Sequence, residues 1–120
     1  MVIPPKMYVP ERGDLVWINF DPQAGHEQWG RRPALILSPT EYNEKSNLAV
    51  LCPITSKGKG HPFEVALPPG LAVIGFILAN QIKNVDWRIR NTAYIGKASD
   101  DSIREVVRLV HLLLREPSTT

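Results

Sequence analysis

The chain has 120 residues, a formal net charge of +2, and 43% hydrophobic against 22% charged side chains. This length supports one domain, 1–120, with a modest core, and the composition excludes a globally disordered chain. The single cysteine, Cys52, excludes an internal disulfide and fits a reducing, cytoplasmic setting, whereas so small a net charge leaves a local basic groove open.

Residues 1–8 are proline-rich, lack a continuous apolar stretch and read as an irregular arm, not a signal peptide. "GDLVWINFDP" then alternates, with Leu15, Trp17 and Asn19 on one face and Val16, Ile18 and Phe20 on the other, which predicts a strand. "QAGHEQWGRR" is polar, holds two glycines and is longer than a hairpin requires, so it reads as a functional loop. "RPALILS" is a second strand. After it, Ser38 is placed to cap a short helix, with Pro39 in the first turn and Glu41 completing a capping box.

"NLAVLCPIT" is apolar on both faces and predicts a central strand. "SKGKGH" is a basic turn, and "PFEVALPPG" alternates again, with Phe63, Val65 and Leu67 on one face. "VIGFILANQIKNV" reads as one long strand or two joined at a bend, and "NTAYIGKAS" as a last strand. The period then changes. Over 99–115, Ile103, Val106, Val107, Val110, Leu113 and Leu114 recur at helical spacing behind an N-cap at Ser99, and 116–120 is a tail. Short, locally connected strands followed by one amphipathic helix predict a mainly β protein with α: a small, strongly bent antiparallel barrel with the helix packed on it. Leu109 and Leu112 widen the apolar stripe, which suits either a homodimer contact or deeper burial in the helix's own core.

Metal and cofactor chemistry finds no support in the residue spacing. His26, His61 and His111 have no cysteine or histidine partner at ligand spacing, and no P-loop, dinucleotide fingerprint or G-x-S-x-G is present. Cys52 inside an apolar strand reads as a buried thiol rather than a nucleophile. What remains is cationic and polar, and lies at strand ends: Arg31 and Arg32, then Thr55, Ser56, Lys57, Lys59 and His61, then Gln81 and Lys83, then Arg88 and Arg90. Such groups form either a solvated rim or a site. Adjacent antiparallel strands share an edge, so Arg32 and Thr55 are placed to face each other. Trp29 and Trp87 sit among these charges, where an aromatic ring serves either base stacking or as a lid on the core. Two arginines at a strand mouth point to phosphate, because the guanidinium fork holds two phosphate oxygens at once.

The series "ERGDLVWINFDP…GHEQWGRRPALILSP…YN…VLCPITS…PFEVAL…ANQIKNVDWRIR" resembles the MazF/PemK toxins of bacterial toxin–antitoxin pairs, from about Val9 to Leu114. "GD", "G-x-E-Q-x-G-x-RP", "P-x-T" and "NQ-x-K" occur together and in order. The resemblance implies an SH3-like antiparallel barrel with a C-terminal helix, working as a homodimer without metal or cofactor. It implies an endoribonuclease that cuts single-stranded RNA, usually mRNA, at short sequences and so halts translation and growth. It also implies a cognate acidic antitoxin that lies along the RNA groove, and no membrane association.

Carried over position by position, the resemblance makes Arg32 and Thr55 catalytic, and Glu27 the acidic residue of the first loop. It places Gln81 and Lys83 along the RNA groove, and the position of Arg31, Trp29, Ser56, Lys57, Arg88 and Arg90 at strand ends and loops completes the expected RNA-binding set. The chain departs from the pattern at Arg31, where some members have histidine, so a role resting on that histidine does not transfer. The general base stays open between Glu27, His26 and Arg32. Arg31 is left to the RNA backbone, the antitoxin or solvent. The alternative from another functional class is a non-enzymatic toxin of the same fold that poisons a topoisomerase by binding.

Overall fold

The computed structural model describes residues 7–20 and 30–117. Seven strands and two helices follow the order β1 (Asp14–Phe20), β2 (Gly30–Ile36), α1 (Thr40–Ser46), β3 (Leu48–Thr55), β4 (Glu64–Ala66), β5 (Phe76–Leu78), β6 (Lys83–Asp86), β7 (Ala93–Lys97) and α2 (Asp100–Leu114). Every described strand pair is antiparallel, along the path β4-β5-β3-β2-β1-β7, with β6 also paired to β3.

β3 is central, as its two apolar faces predict. It pairs with β2 on one side and with both β5 and β6 on the other. The stretch read as one strand or two is two, separated by a 3₁₀ turn at Ala79–Gln81. The register on β3 slips across that turn, from Ile54↔Ile77 to Leu51↔Lys83. The three turn residues drop out of the ladder, which frees Asn80 and Gln81 from strand pairing.

The sheet buries both faces. On one side Leu15, Leu35, Leu37, Cys52, Ile54 and Ile77 pack with Val106 and Leu109 of α2. On the other, Val16, Ile18, Phe20, Ala34, Ile36, Leu51, Val85 and Trp87 form a second cluster. Strand alternation assigns the residues of β2 and β3 to these clusters in turn. β1 alternates too: Leu15 belongs to the first cluster and Val16, Ile18 and Phe20 to the second, and the register against β7 shifts between Leu15 and Val16.

Three expectations need correction. The sheet is not closed into a barrel: among the described residues β4 and β7 are edges that no ladder joins. β4 and β5 have only three residues each, too few to reach round. Ser38 does not cap α1. The cap position is Pro39, without a side-chain bond, and the Ser38 hydroxyl instead donates to Asn43 Oδ1 and accepts from Val50 N at 2.8 Å. On α2 the buried line is Ser102, Val106 and Leu109, flanked by Ile103 and Val110, whereas Val107, Leu112, Leu113 and Leu114 are exposed. The Ser99 cap is present, with its side chain accepting from Ser102 N.

A second polar tie holds the sheet's edge. Asp14, almost wholly buried, accepts from the Tyr8 hydroxyl and from Glu11 N at 3.0 Å, and its Oδ1 lies 2.6 Å from Lys97 Nζ. That pairing raises the Lys97 pKa, chiefly through the Asp14 hydrogen bond. Burial, then the Asp14 bond, pushes the Tyr8 phenol well above its ordinary range.

Candidate functional site

Side-chain alternation separates the two arginines at the mouth of β2. Arg31 is exposed and donates through Nη1 to Asn91 O at 2.7 Å. Arg32 is half-buried and lines a cleft of about 500 Å³. The β2–β3 ladder pairs Ala34 with Pro53, and continuing that register by two residues brings Arg32 level with Thr55. Thr55 lines the same cleft.

The end of β3 is held tightly. Thr55 pairs with Phe76, and a Cβ at Gly75 would stand 2.2 Å from the Thr55 carbonyl oxygen. Gly75 also has φ +130, so no other residue fits there without strain. Thr55 Oγ1 accepts from Lys57 N at 3.2 Å, which leaves the hydroxyl hydrogen to be donated elsewhere.

Between β3 and β4 the chain folds back on itself. The Glu64 carboxylate accepts from Lys59 N at 3.0 and 3.1 Å and from Gly60 N at 3.2 Å. His61 Nδ1 accepts from Phe63 N at 3.1 Å. The 3₁₀ turn contributes Asn80 and Gln81. The cleft therefore combines Arg32, Thr55, Ser56, Lys57, Lys59, His61 and Gln81, all named from the sequence, with Glu64, Leu78 and Asn80. Among the described lining residues three side chains are cationic, and the one carboxylate, Glu64, accepts from backbone amides. The wall is thus suited to an anion such as a phosphodiester.

Lys83, Arg88, Arg90 and Arg31 are not among the residues lining this cleft. Lys83 Nζ lies 5.3 Å from the Phe20 ring centroid, and Arg90 Nη1 donates to Asn19 O at 3.1 Å. Arg88 Nη1 donates to Asn47 Oδ1 at 3.0 Å, with its guanidinium 5.9 Å from the Trp87 ring. Trp87 is a lid on the core: it is buried and donates through Nε1 to Asn43 O at 2.9 Å. Glu27, His26 and Trp29 lie outside the described residues. Cys52 is fully buried, and burial pushes its thiol up to about 12, which removes thiolate character at neutral pH.

The contributions of Glu64 and Asn80 escape sequence reasoning. Alternation in "PFEVAL" turns Glu64 away from Phe63 and Val65, but nothing in that pattern shows its carboxylate reaching back to the Lys59 and Gly60 amides. The signal available for Asn80 was the bend in "VIGFILANQIKNV", a stretch the sequence left undecided.

Residues 11–114 match the family model described as PemK-like, MazF-like toxin of type II toxin-antitoxin system. The chain belongs to that family. It is 40% identical over 107 residues to the endoribonuclease toxin MazF of Escherichia coli (strain K12), covering 89% of this chain and 96% of that protein. It is 32% identical over 108 residues to the Escherichia coli endoribonuclease PemK, covering 87% and 81%. Among solved structures, MazF from Deinococcus radiodurans superposes with a TM-score of 0.87 at 51% identity, covering 90% of this chain and 98% of that one. A MazE–MazF structure from the same organism gives 0.82 at 51% identity, covering 90% and 97%. No helix among the described residues of this family member is long and apolar enough to cross a membrane.

Proposed function

We propose that this toxin is a sequence-specific endoribonuclease that cuts single-stranded RNA, without metal or cofactor, at the cleft lined by Arg32 of β2 and Thr55 of β3. One observation carries the reading: Arg32 and Thr55 line one cationic cleft in a chain whose relatives are named endoribonucleases. RNA supplies its own nucleophile, the 2′-hydroxyl beside each phosphate. The 2′-oxygen forms a bond to phosphorus while the bond from phosphorus to the 5′-oxygen breaks. One proton leaves the 2′-hydroxyl, and one is delivered to the departing 5′-oxygen. The products are a 2′,3′-cyclic phosphate and a 5′-hydroxyl.

Arg32 holds the phosphate and the charge that builds on the phosphorane, and Thr55 donates its free hydroxyl hydrogen to a phosphate oxygen. A guanidinium is almost always protonated, so Arg32 is suited to donate a proton and ill suited to remove one. Glu27 and His26 of the first loop are the better candidates for the base. Lys57, Ser56 and Gln81 extend the RNA-binding wall. Arg31, Lys83, Arg88 and Arg90 would act beyond the cleft itself, and Trp29 completes the RNA-binding set.

The cognate partner is an acidic antitoxin that occupies the same cationic wall and so competes with RNA. MazE–MazF complexes of Deinococcus radiodurans support such a partner. The exposed Val107, Leu112, Leu113 and Leu114 of α2 suit a homodimer contact. Cutting of mRNA would halt translation and growth in the cytoplasm.

The test is to incubate purified protein with a long single-stranded RNA in excess EDTA and to map the new ends. Cleavage at a short recurring sequence, leaving cyclic phosphate and 5′-hydroxyl ends, is expected. RNA left intact across many substrates would overturn the reading and favour a toxin that acts by binding, such as a topoisomerase poison. Cleavage that EDTA abolishes would overturn the metal-free chemistry.

A further inference from the structure

One of the basic side chains of the cleft differs in kind from the others. Arg32, Lys57 and Lys59 are cations, while His61 is an imidazole lining the same cleft. Its Nδ1 accepts the Phe63 amide hydrogen at 3.1 Å. A ring nitrogen that accepts carries no proton, so the proton of this neutral ring is on Nε2. The residue therefore offers a single uncharged N–H donor of fixed tautomer. Its ring also packs against Phe63, with centroids 5.7 Å apart and planes tilted by 40°. Glu64, bonded to the Lys59 and Gly60 amides, fixes the preceding turn. Gly60, at φ +75, supplies the left-handed backbone on which that turn depends.

We infer that His61 reads a nucleobase beside the scissile phosphate, donating Nε2–H to guanine O6 or uracil O4, the edge position at which adenine and cytosine carry an amino group, and so selecting guanine or uracil at one position of the cleavage sequence. The inference rests on the endoribonuclease reading and names a specificity residue within it. The phosphate is already served by Arg32, Thr55, Lys57 and Lys59, and an uncharged donor adds little beside them. Single-stranded RNA, by contrast, exposes base edges that a fixed donor can distinguish. Guanine O6 and uracil O4 accept a hydrogen bond where adenine N6 and cytosine N4 donate one. An amino base would set donor against donor at Nε2 and leave both unpaired.

The test is cleavage of a randomised single-stranded RNA library by the wild-type protein, His61→Asn and Lys59→Ala, with the cut sites mapped at several salt concentrations. In His61→Asn the shorter side chain can still accept the Phe63 amide as an Asx turn, keeping the loop while removing the ring donor. The wild type should show guanine or uracil enriched at one position, and His61→Asn should lose about tenfold of that selectivity there. The other positions and the salt dependence should be retained. Lys59→Ala should do the reverse, keeping the sequence preference while its salt slope falls by about 0.7. A wild-type sequence without a keto position would overturn the inference. So would an unchanged His61→Asn pattern, or an even loss at every position. A library that the wild type leaves uncut would overturn the endoribonuclease reading, and this inference with it.

Discussion

β2 has a polar cluster at each end, and the two are built on opposite principles. Beyond its last residue, Asn43 is fully buried, and its amide donates to Pro10 O at 2.7 Å and Ser38 O at 3.1 Å. Its Oδ1 accepts from the Ser38 hydroxyl, and its backbone oxygen accepts from the Trp87 indole at 2.9 Å. These groups bond one another away from water. At the other end Arg32, Thr55, Lys57, Lys59 and His61 line open space, with Thr55 and His61 steadied by amides of their own loop. A closed polar knot stabilises a fold, because each buried group would be costly alone. A cationic wall open to solvent, by contrast, is placed to meet a charged ligand.

Substitutions at the two ends should therefore separate activity from stability. The largest effect on cleavage is expected for Arg32→Ala: kcat/KM should fall by about 10²–10³ with little change in Tm. A Tm loss that accounts for the lost activity would place Arg32 with the structural cluster. Asn43→Ala should behave oppositely, losing about 3 kcal/mol in a denaturant titration while the folded fraction cuts at a near-normal rate. Normal stability with lost cleavage would reverse the contrast. Arg31→Ala should be milder than either, lowering kcat/KM only a few-fold, since its guanidinium is bound to Asn91 O away from the cleft. A loss equal to that of Arg32→Ala would make the pair equivalent.

The smallest effect is a pH dependence of the core. The Cys52 pKa is raised by burial from 9.0 to about 12, so the folded chain keeps a proton that the unfolded chain releases. Its contribution to stability is full below pH 9.0 and is lost progressively towards about pH 12. Denaturant titrations at pH 8 to 10.5 should show a shallower alkaline decline in Cys52→Ala than in the wild type. Identical slopes would contradict a buried, protonated thiol.

Much of this contrast was legible in the sequence. The double-faced apolarity of "NLAVLCPIT" placed β3 at the centre, and alternation separated Arg32 from Arg31. Ser99 announced α2 because its cap depends only on residues three apart. Long-range partners decided the rest. Ser38 has good capping chemistry, yet Asn43 and Val50 claim its hydroxyl. Barrel closure depends on whether short edge strands can meet, which no local pattern reports. The buried line of α2 follows where the sheet touches it, so the helix leaves Leu112, Leu113 and Leu114 uncovered. Strand adjacency and motif resemblance both drew Arg32 and Thr55 together across the chain, whereas the local fold that places Glu64 and Asn80 in the cleft carries no such signature.

The central claim is that the cleft positions an RNA phosphate for attack by the neighbouring 2′-hydroxyl. It is tested most directly with an oligonucleotide that carries one cleavage site and a single 2′-deoxy substitution at the nucleotide 5′ to the cut. The account predicts that this strand competes with RNA for the protein yet stays uncut at that site, while the all-ribose strand is cleaved. Cleavage of the deoxy strand at a comparable rate would mean a different nucleophile and would contradict the mechanism.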